Sequence, residues 1–238
     1  MDIVMPRPPT ALLFELSGCL VDFGARTLPV ALQRLHPELS SATSLDMPQP
    51  ELEALLEKVT RAALQQALSE AADEHAELAP GTEHLLNDLA NAEIPCAWLD
   101  RLPLSASLRL AQALPKPIPA VAPNLARAWP APDVCWQALS QLGVESLDGC
   151  ILVSGNPLLL QAGLNAGCWT IGLATCGPLC GQAPADWQAL SNAEQEHLRA
   201  DATLQLYRLG VHSVVDHLGE IAASLDDIGI RRSKGEKP

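Results

Sequence analysis

Glu15, Ser17 and Gly18 follow a short apolar run, Ala11 to Phe14, that resumes with Leu20 and Val21. An apolar run of that length bounded by turn residues predicts a buried parallel strand entering a loop. In open α/β sheets chemistry gathers just past the carboxyl ends of such strands, so this acid, hydroxyl and glycine stand where a site belongs. Glu15 there is either an acid or base, or a carboxylate fixed by backbone amides or by Arg101 or Arg127. A carboxylate stranded in a pocket without a metal must pair or take up a proton. Asp100 follows a second apolar run, Ile94 to Leu99, and Ser154-Gly155-Asn156 follows a third, Cys150 to Ser154.

The elements that must position these residues alternate along the chain. Thr27 to Leu35 predicts a helix closed by His36-Pro37, and the polar, proline-bearing 40–50 predicts a linker. From Glu51 to about Glu77 the pattern is helical, with Leu52, Leu55, Leu56, Val59 and Ala63 on one face at spacings of three and four. Residues 27–79 thus read as a small α-helical cap inserted after the first strand, and 1–26 with 80–238 as the core.

In the core we expect helices at Gly81 to Asn91, Leu104 to Leu114, Asp133 to Leu142, Pro157 to Ala166 and Asn192 to Leu209, with a short one last. Strands are expected at Ile94 to Leu99, Cys150 to Ser154, Cys168 to Leu173 and Ser213 to Asp216, and an outer one at Pro117 to Ala122. Alternation of this kind implies an α/β, Rossmann-like parallel sheet with helices on both faces. There are no internal repeats.

Composition narrows the function classes. With 48% hydrophobic and 18% charged residues the chain can bury a substantial core. A net charge of −13 argues against nucleic acid or an anionic membrane as partner. The basic cluster Arg231-Arg232-Ser233-Lys234 reads as a solvated tail. No apolar stretch approaches the ~20 residues of a membrane helix, and the first residues lack the pattern of a signal peptide. Seven cysteines spread through apolar runs suggest reduced thiols and a cytoplasmic setting. Cys176 and Cys180 lack the second pair or histidine that a tetrahedral metal site needs.

The stretch Ala11 to Gly24 resembles the first motif of the haloacid dehalogenase (HAD) superfamily, and Val21-Asp22-Phe23-Gly24 narrows the resemblance to the phosphonoacetaldehyde hydrolase, or phosphonatase, branch. Pro130-Ala131-Pro132, Gln161 to Gly172 and Leu209 to Asp216 resemble later segments of that family. His212 falls where the family has no catalytic role and reads as structural.

The resemblance implies a hydrolase in which an Asp attacks phosphorus while Mg2+ and a cation neutralise the phosphoryl charge. Carried over by position, the nucleophile becomes Glu15, with Ser17 two residues on. The hydroxyl position becomes Leu99 or Asp100, the cation position Trp129, and the two metal acids become Gly155 and Leu159. Losing charge-stabilising partners costs ~10² to 10³ each, and a nucleophile misplaced by ~1 Å about 10². We therefore expect no catalytic residue, no cofactor and no metal, and a former active site lined by Glu15, Ser17, Gly18, Asp100, Arg127, Trp129 and Asn156 that holds a small-molecule or anion ligand. The resemblance also implies a homodimer through the cap. Lys58, the only lysine in the cap, stands near where phosphonatases carry a Schiff-base lysine, but beside Glu57 it reads as a solvated helix charge. The alternative is a divergent hydrolase of a phosphorylated or phosphonate small molecule using Glu15 and Asp100 or Lys58.

Overall fold

Strands β1 (Ala11–Glu15), β2 (Cys96–Leu99), β3 (Cys150–Ser154), β4 (Trp169–Leu173) and β5 (Ser213–Val215) form one parallel sheet in the order β2-β1-β3-β4-β5. The computed structural model from which this is read describes residues 5–37, 60–121 and 127–238. Between the strands run α1 (Thr27–Leu35), α2 (Arg61–Glu74), α3 (Thr82–Asn91), α4 (Leu104–Leu110), α5 (Asp133–Gln141), α6 (Pro157–Ala166), α7 (Pro184–Ala189) and α8 (Asn192–Arg208), and α9 (Ile221–Ser233) follows β5. No helix among the described residues is long and apolar enough to cross a membrane.

Side chains on a strand alternate between faces, so each strand feeds two cores. Leu12, Phe14, Trp98, Ile151 and Val153 join one cluster with α3, α4 and α9. Their neighbours Leu13, Ala97, Leu99 and Leu152 join another with Val134, Leu139, Leu159 and Ala162 of α5 and α6. Strands buried on both faces explain why these runs are continuously apolar instead of alternating. Truncating a core leucine such as Leu13 or Leu152 to alanine costs about 2–5 kcal/mol.

Within residues 27–79 the described helices are α1 and α2, which pack on each other, with α2 also against α4. The chain leaves and re-enters the core at one place: the Asp22 N–H donates to the Glu77 carbonyl and the Ala79 N–H to that of Leu20. The apolar stripe of Leu52, Leu55, Leu56 and Val59, and Lys58 with it, lies outside the described residues.

Two expectations are corrected. Residues 117–121 do not form an outer strand: only one isolated bridge, Trp98 with Ala120, joins them to β2. Pro117 and Pro119 carry no N–H to extend a ladder; Ala122 lies outside the described residues. In the basic cluster near the C-terminus Lys234 is exposed, but the two arginines are no solvated tail. Arg231 and Arg232 end α9, which is longer than expected. Arg232 is 6% exposed, holds Asp148 with two nitrogens, and donates to the carbonyls of Arg7 and Pro8, while Arg231 lies 4.6 Å over the Trp169 ring. The short helix α7 was not foreseen.

Candidate active site

The chain passes from β1 to β2 on one side of the sheet, then builds β3, β4 and β5 on the other. The order therefore reverses between β1 and β3, and the crevice at their carboxyl ends is where such sheets place ligands. Glu15 closes β1, Ser154 closes β3, and Asp100 follows the last residue of β2. The register pairs Phe14 with Val153 and Glu15 with Leu99, so the three side chains emerge at one level.

Glu15 is 2% exposed. The Ser154 hydroxyl donates to one of its carboxyl oxygens at 2.5 Å and accepts from the Asn156 N–H at 2.8 Å. Burial pushes the Glu15 carboxyl up to about 8, the Ser154 hydrogen bond pulls against it, the Asp100 charge adds to it, and the Arg101 charge and Asn156 backbone oppose it. At neutral pH the residue at the nucleophile position is therefore mostly a neutral acid.

Asp100 is 3% exposed and accepts from the N–H groups of Arg101 at 2.7 Å and Leu102 at 3.1 Å, and from the Ser107 hydroxyl at 3.2 Å. Burial raises its carboxyl to about 6 against those hydrogen bonds. Both its oxygens are engaged in folding the turn into α4. Arg101 Nε is buried without a hydrogen-bond partner.

The remaining sequence candidates divide. Asn156 caps α6, its side-chain oxygen accepting from the Leu158 N–H at 3.0 Å. Ser17 does not face Glu15: its hydroxyl donates to Asp22 at 2.7 Å, and Asp22 also accepts from the N–H groups of Arg26 and Thr27. Asp22, with φ +57°, thus clamps the loop that leads into α1. Gly18 lies at φ +75°, where a side chain would meet Ala25. Arg127 is exposed and paired with Asp133 at 2.7 Å, so its charge serves the start of α5. Trp129 packs against the cluster that holds Leu99 and Leu159. His212 accepts from the Thr170 N–H at 3.0 Å and packs edge-on to Trp169, a structural arrangement.

At Gly155 and Leu159, the two positions that the resemblance aligns with metal acids, the space is already filled. A Cβ at Gly155 would stand 2.4 Å from the Gly177 Cα, and Leu159 is fully buried. Among the described residues no group of three or more His, Cys, Asp or Glu could hold a metal ion. Sequence reasoning overlooked Ser154 as a partner of Glu15 and Ser107 as a partner of Asp100. For Ser154 the signal was present: parallel strands that end together set their last side chains next to each other.

No protein-family model matches the chain. Its sequence is 36% identical over 109 residues to a phosphonoacetaldehyde hydrolase of Klebsiella pneumoniae subsp. pneumoniae, a match that spans 46% of this chain and 40% of the relative. A crystal structure of a protein 50% identical to this chain covers 96% of it and 99% of that protein, with a TM-score of 0.74. The crystal structure of a phosphonoacetaldehyde hydrolase-like protein from Oleispira antarctica is 22% identical and shares the fold, with a TM-score of 0.87 over 100% of this chain and 99% of that one.

Proposed function

We propose that the chain is a phosphonatase-like member of the haloacid dehalogenase superfamily, and a catalytically silent one whose former active site and cap serve binding or regulation. The observation that carries this reading is Glu15: a carboxyl buried to 2% exposure that accepts from the Ser154 hydroxyl, where the resemblance places an attacking Asp, and burial raises its pKa. A neutral carboxylic acid is a poor nucleophile toward phosphorus.

Magnesium, which the family uses, does not fit the donors present. A hard octahedral cation needs several oxygen ligands at ~2.1 Å. Here the Asp100 oxygens are engaged by backbone and Ser107, and Gly155 offers no side chain. In this reading residues 27–79 form the cap, Trp129 and Leu159 fill space that the family gives to a cation and a metal ligand, and the protein dimerises through the cap in the cytoplasm. A small molecule or anion that reached the site would meet Arg101.

The test is a panel of phosphate esters and phosphonoacetaldehyde with Mg2+, run on the native protein and on Glu15→Gln. No turnover by either supports the reading. Turnover lost in Glu15→Gln overturns it in favour of a divergent hydrolase, since the amide keeps the shape but removes the acid. Stabilisation by small anions in a melting assay would then identify a ligand for the silent site, and sedimentation at micromolar concentration checks the dimer.

A further inference from the structure

A depression lies away from Glu15 and Asp100. It has a volume of ≈ 600 Å³ and runs between α8 and α9, with the edge strand β5 at its floor. Among the described residues no strand lies on the outer side of β5. All three residues of β5 are partly exposed, whereas β1, β3 and β4 are buried throughout. An edge of this kind is a template for pairing with another extended chain.

The walls suit such a guest. From α8 come Ala200, Thr203, Leu204 and Tyr207, and the strand adds Val214 and Val215. Leu204 and Tyr207 are 49% and 50% exposed although the same helix buries Ala202 and Leu206 on its other side. A half-exposed leucine and tyrosine beside an open strand edge form the kind of anchor that alternate side chains of an added strand use.

Charge selects the guest. Three carboxylates, Glu196, Asp216 and Glu220, rim the groove, against one cation, Arg199. Arg199 is already bound to both Glu196 and Asp216, leaving the rim with a net charge of −2. A second copy of this chain seated here would bring the same acids against them, so self-pairing at this groove is opposed by like-charge repulsion. We infer that this groove binds an extended segment of another protein, rich in alternating apolar and basic residues, as an added strand on β5. The inference does not depend on whether Glu15 is catalytic.

The probe is a labelled decapeptide of alternating lysine and valine, titrated by fluorescence anisotropy in 0.15 M salt. Lysine–glycine and glutamate–valine peptides of equal length serve as controls. We expect saturable binding of the lysine–valine peptide at least 10-fold tighter than that of either control. Tyr207→Ser and Leu204→Ser, both surface changes, should each weaken it about 10-fold, and Glu196→Lys with Glu220→Lys should abolish it. Equal binding of the lysine–glycine peptide would mean attraction by net charge alone and overturn the proposal, as would unchanged binding to both Tyr207→Ser and Leu204→Ser. Absence of binding, or a concentration-dependent dimer dissolved by Tyr207→Ser, would overturn it too.

Discussion

Gly155 and Gly177 lie back to back, so close that a Cβ on the first would stand 2.4 Å from the Cα of the second and 3.2 Å from the Leu173 carbonyl. Gly155 follows β3 and is the position that the resemblance aligns with a metal acid; Gly177 belongs to the loop after β4. That loop fills the space a side chain at position 155 would need.

That contact makes an acid at position 155 costly. Gly155→Asp should destabilise the fold by about 1–3 kcal/mol or more through overpacking against backbone. For a chain of this size that lowers Tm by several degrees. We expect no Mg2+-dependent stabilisation of the variant in differential scanning calorimetry. A variant as stable as the native protein whose Tm rises with millimolar Mg2+ would contradict this account of the contact.

Glu15 should leave a signature in the pH dependence of stability. Its folded value, about 8, lies above the ordinary 4.5, so the folded state keeps a proton that the unfolded state has released. Stability on its account is greatest below about 4.5 and falls as pH rises through 8. Glu15→Gln cannot ionise. Its Tm should match the native value near pH 5 and exceed it at pH 8.5, with a difference in stability on the order of a few kcal/mol. Parallel melting profiles for the two proteins across that range would show that Glu15 does not hold its proton.

The sheet was legible because its strands are apolar on both faces. Cys150 to Ser154 and Pro157 to Ala166 were bounded to the residue, since a buried run followed by a capping Asn156 and Pro157 leaves little choice of start. Residues 117–121 misled because Pro117 and Pro119, whose missing N–H groups suggested an outer strand, in the fold allow no ladder beyond the single bridge of Ala120 with Trp98. The Arg231-Arg232 pair misled for a different reason: a charge run usually is solvated, and only the fold brings Asp148, 84 residues away, and the carbonyls of Arg7 and Pro8 to Arg232. The candidate site was half legible. Glu15 and Asp100 follow from strand ends, but Ser17 belongs to Asp22 through a loop whose positive φ angles at Gly18, Asp22, Gly24 and Ala25 are invisible in composition.

Arg232 gives a test of the corrected C-terminus. Arg232→Ala removes the bond pair to Asp148 and the donors of the Arg7 and Pro8 carbonyls, and it opens a gap under α9. Asp148 is itself exposed, so no buried charge is stranded. The cost should be about 1–3 kcal/mol, from lost hydrogen bonds and lost stem packing. Asp148→Asn should cost less, because Arg232 keeps its two carbonyls. An Arg232→Ala protein that melts with the native one would return this segment to the status of a solvated tail.

The Asp22 clamp is the most exacting of the local arrangements, because a buried carboxylate in a left-handed backbone accepts three hydrogen bonds at once. Its oxygens take the Ser17 hydroxyl at 2.7 Å, the Arg26 N–H at 2.9 Å and the Thr27 N–H at 3.1 Å. The last two are donors at the start of α1, so Asp22 does the work of a helix cap from outside the helix. Its own N–H holds the Glu77 carbonyl, which ties the chain before α1 to the chain after α2. Asp22→Ala would leave a buried hydroxyl and two amides unmet and place alanine at φ +57°. The expected loss is about 2–4 kcal/mol, a fall in Tm of about 5–15 °C. Asp22→Asn should recover part of it, since the amide oxygen still accepts and asparagine tolerates a left-handed backbone. Hydrogen exchange adds the local readout: in Asp22→Ala the Arg26 and Thr27 amides should lose protection well beyond the global change in stability. Unaltered protection there, in a protein that still folds, would mean that α1 is anchored by its packing on α2 and not by the carboxylate.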